Sequence, residues 1–153
     1  MRLSDILSQN HIISDLKAKD KKGVLAELVD VIVSSDSTLD KNSLVKVLLE
    51  RERLGSTGIG DGVAIPHGKF QGLNRPIISF GRSRKGLDFD AMDGEAVFLF
   101  FLLVAPEDSA SIHLKALARI AKIIKSRSFR DILMQAPTSE EIYQAIIQND
   151  EQL

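Results

Sequence analysis

The run Val97-Phe98-Leu99-Phe100-Phe101-Leu102-Leu103-Val104 has no polar side chain at any position. A strand with one solvated face alternates apolar and polar residues, so an unbroken run reads as a central strand covered on both faces. Other stretches can provide that cover. From Asp20 to Ser34, Val24, Leu25, Leu28, Val29 and Ile32 recur at steps of three and four, one apolar stripe on a helix. Asp40 or Asn42 can cap a second helix, on which Leu44, Val45, Val47, Leu48 and Leu49 face inward before the charged end Glu50 to Arg53. Asp108, Ser109 or Ser111 can cap a long third one running to about Lys125. Two more are expected, over Ser128 to Met134 and over Ser139 to Gln148, the last behind Thr138 with Glu141 in capping-box register.

The remaining elements are shorter. Leu3, Ile6 and Leu7 have helical spacing and His11-Ile12-Ile13 can follow as a strand, so the opening reads as a brief helix feeding a sheet edge, with His11 at a surface or edge. Pro76 to Arg82 is a second clear strand, and Lys85-Gly86 and Asp93-Gly94 read as turns. A length of 153 residues suits one domain over 1–153 with a single core.

Composition removes several function classes. The 20 basic and 21 acidic residues nearly cancel, so no overall field recommends nucleic acid as a partner. The absence of cysteine excludes disulfides, thiolate metal sites and a cysteine nucleophile, and fits a reducing, cytoplasmic location. The start lacks an apolar signal core, and the longest apolar stretch, Ala96 to Ala105, is about half a membrane span. No membrane insertion is expected.

The chemistry concentrates in residues 51–69, which hold five glycines, a proline and a histidine. Glycines at 55, 58, 60 and 62 forfeit backbone entropy and packing, so such a segment is either a plain surface loop or a place of close backbone approach. Val63-Ala64-Ile65 reads as a short buried strand ended by Pro66, which leaves His67 at a strand end with an accessible ring. His113 shares a stripe with Leu117, Ile120, Ala121 and Ile124, so it faces inward. On its own such a histidine is more often a hydrogen-bonded core residue than a working one. It lies, however, near a helix start, where free amides and the dipole welcome anions.

Neutral imidazole is a good nucleophile near pH 7 and can take and pass on a phosphoryl group. Arg51, Lys69, His113 and the loop amides could meet the equatorial oxygens, although Arg51 and Arg53 also suit a solvated helix terminus. Competing chemistries lack their motifs. Gly68-Lys69 is followed by Phe70 instead of Ser or Thr, so there is no P-loop, and the dinucleotide fingerprint is absent. The two histidines with Asp61 offer no ligand pair at helical spacing for a metal. No cofactor is expected.

The segments Arg51-Glu52-Arg53-Leu54, Gly58-Ile59-Gly60 and Val63-Ala64-Ile65-Pro66-His67-Gly68-Lys69 resemble the active-site segment of the mannitol/fructose-type enzyme IIA family of the bacterial phosphoenolpyruvate phosphotransferase system. Ser56 to Gly60 and Ile65 to Lys69 look most like its nitrogen-regulatory branch. The resemblance covers nearly the whole chain. It implies an α/β (α+β) fold, a three-layer α/β/α sandwich whose mixed sheet carries helices on both faces. It also implies His67 as phosphoacceptor from an upstream phosphocarrier protein, with His113 and Arg51 stabilising the phosphoryl group. Ser56, Asp61, Gly68 and Lys69 would stand at the rim, Asp61 where transport members often carry an acid. A sugar-transport IIA normally needs a following domain with its own phosphoacceptor, so the expectation is a regulator whose phosphorylation state partners sense, with potassium transport proteins or sensor kinases among them. A sugar-transport IIA component passing phosphate to a IIB domain, and a phosphorylation-independent binding module, are the alternatives.

Overall fold

A computed structural model describes residues 1–153. After a 3-10 turn at Leu3–Asp5 the elements run β1 (Leu7–Ile13), α1 (Lys21–Ser35), α2 (Lys41–Arg53), β2 (Gly58–Gly60), β3 (Val63–Ala64) and β4 (His67–Phe70). Then follow β5 (Ile77–Leu87), β6 (Val97–Pro106), α3 (Ala110–Ile124), α4 (Arg127–Gln135) and α5 (Ser139–Glu151). The sheet has the order β1-β5-β6-β3-β2, with β4 also paired to β6. It is mixed: β6 is antiparallel to β5 and parallel to β3 and β4, while β1 is parallel to β5.

β6 is the central strand; from Leu99 to Val104 its side chains alternate between two apolar layers, with Val97 out of phase at the strand start, where the pairing to β5 shifts register. Leu99, Phe101 and Leu103 point into the layer built with Ala116, Ile120, Phe129, Leu133, Ile142 and Ile146 of α3, α4 and α5. Val97, Phe100, Leu102 and Val104 point into the layer built with the α1 stripe and with Leu44, Val45 and Leu48 of α2. The result is a three-layer α/β/α sandwich. Each fully buried Leu, Ile or Phe contributes about 1.5–3 kcal/mol, so these faces specify which side of the sheet each helix covers.

The helix starts follow local capping chemistry: Asp20, Asp40 and Thr138 accept the amides of Gly23, Ser43 and Glu141. The opening differs from a helix. Only a 3-10 turn forms, because the Leu3 amide is taken by the buried Asp150 carboxylate at 2.7 Å and the chain is already a strand by Leu7, paired with Ile78. His11 is on an edge strand, yet its ring is buried and its Nε2 lies 2.8 Å from Ser35 Oγ. Lys85-Gly86 is not a turn between elements. Gly86 adopts φ +73 within β5, a register shift that lets the strand continue to Leu87 opposite Val97.

Candidate functional site

Three elements converge beside β4. The first is the C-terminal turn of α2. Its Arg51 guanidinium donates to the Gly55 carbonyl at 2.9 Å, while the Gly55 amide donates back to Glu52 O at 3.1 Å. This closes the helix end and holds Arg51 at the mouth of a cavity. Val47, Glu50, Arg51 and Leu54, at helical steps of three and four, form one wall of that cavity, which measures about 350 Å³.

The second element is the glycine-rich turn and the strand that leaves it. β2 and β3 form a tight hairpin whose corner holds Gly60, Asp61 and Gly62 at φ 101, 58 and 76. The left-handed corner explains two of the glycines. Gly58 has a different reason: a Cβ there would stand 2.9 Å from the Ala91 Cα, so the position requires close backbone approach. Pro66 does not end the sheet. It lacks an N–H, but its carbonyl accepts the Leu103 amide at 2.9 Å, and the chain resumes as β4 alongside the same strand with His67 opposite Leu103. His67 therefore opens a strand instead of closing one, and its ring is half-buried.

The third element is α3. Ser109 makes no side-chain cap bond to its first turn, and His113 turns inward from that turn with its ring buried. The His67 and His113 ring centroids are 5.4 Å apart at an interplanar angle of 58°. Lys69 and Gly68, on the strand of His67, complete the wall.

The electrostatics make both rings neutral at pH 7. Burial holds the His67 pKa below the ordinary histidine value and Arg51 adds to this, against the opposing pull of its hydrogen bond to Ile65 and of Glu52. Burial, then His67 and Lys69, lowers His113 to about 4. In the neutral His67 ring the proton can be placed. Nδ1 lies 2.8 Å from the Ile65 carbonyl, which can only accept, so Nδ1 carries the hydrogen and Nε2 keeps a free lone pair. The Nδ1 atom of His113 is buried without a hydrogen-bond partner. A desolvated polar atom of this kind is unusual, and here it belongs to a ring beside a second neutral imidazole.

The sequence-derived set divides accordingly. Arg51, His67, Gly68, Lys69 and His113 line one cavity. Ser56 is not in its wall: its hydroxyl donates to Phe89 O at 2.8 Å and accepts the Gly58 amide at 3.0 Å. Asp61 is also elsewhere. Val63 pairs with Leu99 and His67 with Leu103, about 13 Å apart along the strand, and Asp61 lies beyond Val63, where it lines another cavity with Arg127 and Arg130. One residue near the site escaped notice in the sequence. Glu52 is buried one helical turn after Leu48, a spacing that already predicts an inward carboxylate needing partners. Those partners are Thr57 and Lys21.

No helix is long and apolar enough to cross a membrane. Comparison with known proteins defines the class. Residues 5–149 match the family described as Phosphoenolpyruvate-dependent sugar phosphotransferase system, EIIA 2, and the chain belongs to that family. It is thus related to the components of a phosphotransfer system. Within the class it is similar to the Nitrogen regulatory protein of Bradyrhizobium diazoefficiens, 38% identical over 146 residues that cover 95% of each chain. The crystal structure of Nitrogen Regulatory Protein IIA-Ntr from Neisseria meningitidis superposes with a TM-score of 0.87 at 35% identity, covering 94% of this chain and 98% of that one. The PTS system fructose-specific EIIABC component of Bacillus subtilis is 33% identical over 150 residues, 98% of this chain but 24% of that longer protein.

Proposed function

We propose that this protein is a cytoplasmic phosphohistidine carrier that accepts a phosphoryl group on His67 from an upstream phosphocarrier protein and regulates partner proteins according to its phosphorylation state. The observation that carries the reading is the paired ring geometry: His67 with Nδ1 bonded to Ile65 O and Nε2 free, 5.4 Å between centroids from a buried His113 whose Nδ1 lacks a partner. In the transfer, the His67 Nε2 lone pair attacks phosphorus in line as the donor's own N–P bond breaks and its electron pair returns to the donor nitrogen. The Nδ1 proton stays shared with Ile65 O. Arg51 and Lys69 offset charge on the equatorial oxygens, and the His113 ring, which lines the same cavity, is a further donor once protonated. Ser56 and Asp61 have no part in this step.

The regulatory role is supported by similarity to proteins named nitrogen regulatory protein along almost their full length. The partners that role implies are of the kind the family resemblance suggests, potassium transport proteins or sensor kinases. A second reading is favoured by the fructose-specific relative: a sugar-transport IIA that passes its phosphoryl group to a IIB domain.

Incubation with phosphoenolpyruvate and the upstream phosphocarriers is the test. Wild type takes up an acid-labile label and His67→Ala does not; equal labelling of the two removes His67 as acceptor. Partner affinity measured for both forms then separates the readings, since only a difference between them can shift a partner's state. Efficient discharge to a IIB domain, with no phosphorylation-dependent partner, favours the transport role.

A further inference from the structure

The buried carboxylate of Glu52 has no part in the transfer just described, although it sits one residue from Arg51 with 7% of its surface exposed. Its Oε1 accepts the Thr57 amide at 3.2 Å and lies 3.2 Å from Lys21 Nζ, and its Oε2 accepts the Thr57 hydroxyl. Lys21 is itself held, 3.4 Å from Asp90 and over the Phe89 ring at 4.7 Å. Thr57 is therefore tied down at both amide and hydroxyl. Its carbonyl accepts the Ile65 amide at 3.0 Å, and Pro66 restricts the backbone on the other side of Ile65. With Pro66 O also held by Leu103 N at 2.9 Å, the Ile65 carbonyl has one direction left, toward His67 Nδ1 at 2.8 Å.

We infer that Glu52 and Thr57 form a positioning relay that acts through Ile65 to hold His67 in the Nδ1–H tautomer, so that Nε2 faces the incoming phosphoryl group. The inference rests on the phosphoacceptor role proposed above for its effect on rate, and on geometry alone for its effect on the ring. Glu52 touches no reacting atom. A neutral imidazole released from Ile65 O exchanges its proton between both nitrogens, and the fraction protonated at Nε2 cannot attack phosphorus through the nitrogen that faces the cavity. Glu52 also stands on the helix turn that places Arg51, where its backbone carbonyl accepts the Gly55 amide.

The experiment uses the full chain with Glu52→Gln, Thr57→Val and Thr57→Ser. Two-bond proton–nitrogen spectra of the histidine rings, recorded above the His67 pKa, report the tautomer, and phosphorylation by a phosphohistidine donor reports the rate. Wild type shows Nδ1–H alone. Glu52→Gln and Thr57→Val show a mixture and transfer about tenfold more slowly, the loss expected for one hydrogen bond to a charged group. Thr57→Ser, which keeps the hydroxyl, restores the single tautomer and most of the rate. Thr57→Val preserves buried volume and carries the test if Glu52→Gln loses its fold. A single Nδ1–H tautomer in both variants overturns the relay, as does a mixed tautomer with an undiminished rate. If wild type accepts no phosphoryl group while the tautomers change as stated, the acceptor reading fails and the relay's hold on the ring stands.

Discussion

Phosphorylation of His67 should convert His113 from a neutral ring into a cation. In the unphosphorylated protein burial, His67 and Lys69 lower its pKa to about 4. With 5.4 Å between ring centroids, one negative charge at a similar distance interacts with an imidazolium by about 3 kcal/mol at an effective dielectric of about 20. That is about 2 pKa units per charge. A phosphoryl group carries between about one and two charges near neutrality, and part of its field is lost to solvent at the cavity mouth. A rise of about 2–3 units places His113 near 6–7 in the phosphorylated state, where a donated proton can reach a phosphoryl oxygen. Titration of the His113 ring nitrogens by NMR, before and after phosphorylation, measures this directly. A change below about half a unit refutes the reasoning. His113→Gln, which cannot become a cation, should then slow transfer through His67 while leaving the fold intact.

Further outcomes follow from the same geometry. All three histidines have folded-state pKa values below the ordinary one, chiefly through burial, so the unfolded chain binds more protons once pH falls below about 6.5. Stability should therefore decline as pH drops from about 7, with the His113 contribution still being lost down to about 4; a urea midpoint equal at pH 7.5 and 5 contradicts this. Arg82 is fully buried and its guanidinium donates to the carbonyls of Ser14, Leu133 and Ala136. Arg82→Met orphans all three, at about 1–3 kcal/mol each, and urea unfolding should show a loss of roughly 3 kcal/mol or more. Gly58→Ala would press a Cβ to 2.9 Å from Ala91 Cα. A cost of about 1–3 kcal/mol is expected, with slower labelling of His67 because the turn carrying Thr57 is displaced.

Local chemistry was the legible part of this fold. Thr138 as a cap, and Asp40 as one of two candidates with Asn42, could be read because each cap uses only residues within three positions. β6 was legible for another reason, since an unbroken apolar run has few places to go. What the sequence concealed was non-local. β4 exists only because residues 36 positions away, Leu103 to Pro106, lie alongside it, and nothing in His67 to Phe70 alone announces a strand. Arg82 reads as the polar end of an apolar strand until the last carbonyls of α4 are brought against it. At the site the histidines and Arg51 stood out by residue type. Glu52 did not, although its step of four from Leu48 placed it on the buried stripe of α2. Asp61 drew attention through the resemblance, as a position where transport members often carry an acid, whereas the strand pairing sets it well away from His67.

The position of the cavity is a consequence of the layered architecture. Arg51 belongs to α2, whose Leu44, Val45 and Leu48 pack in one apolar layer, while His113 belongs to α3, whose Ala116 and Ile120 pack in the other. His67 comes from the sheet between them. No single layer contains the site, so its geometry depends on both sets of core contacts. Leu48→Ala and Ile120→Ala, at positions 1% and 0% exposed, should each cost about 2–5 kcal/mol. Each should also slow transfer in the molecules that remain folded, Leu48→Ala by shifting Arg51 and Ile120→Ala by shifting His113. Leu28→Ala, equally buried in the α1 stripe, supplies the comparison, because α1 contributes no side chain to the cavity. If all three variants slow transfer equally after correction for the unfolded fraction, stability alone governs the rate, and the convergence of two layers on His67 carries no functional weight.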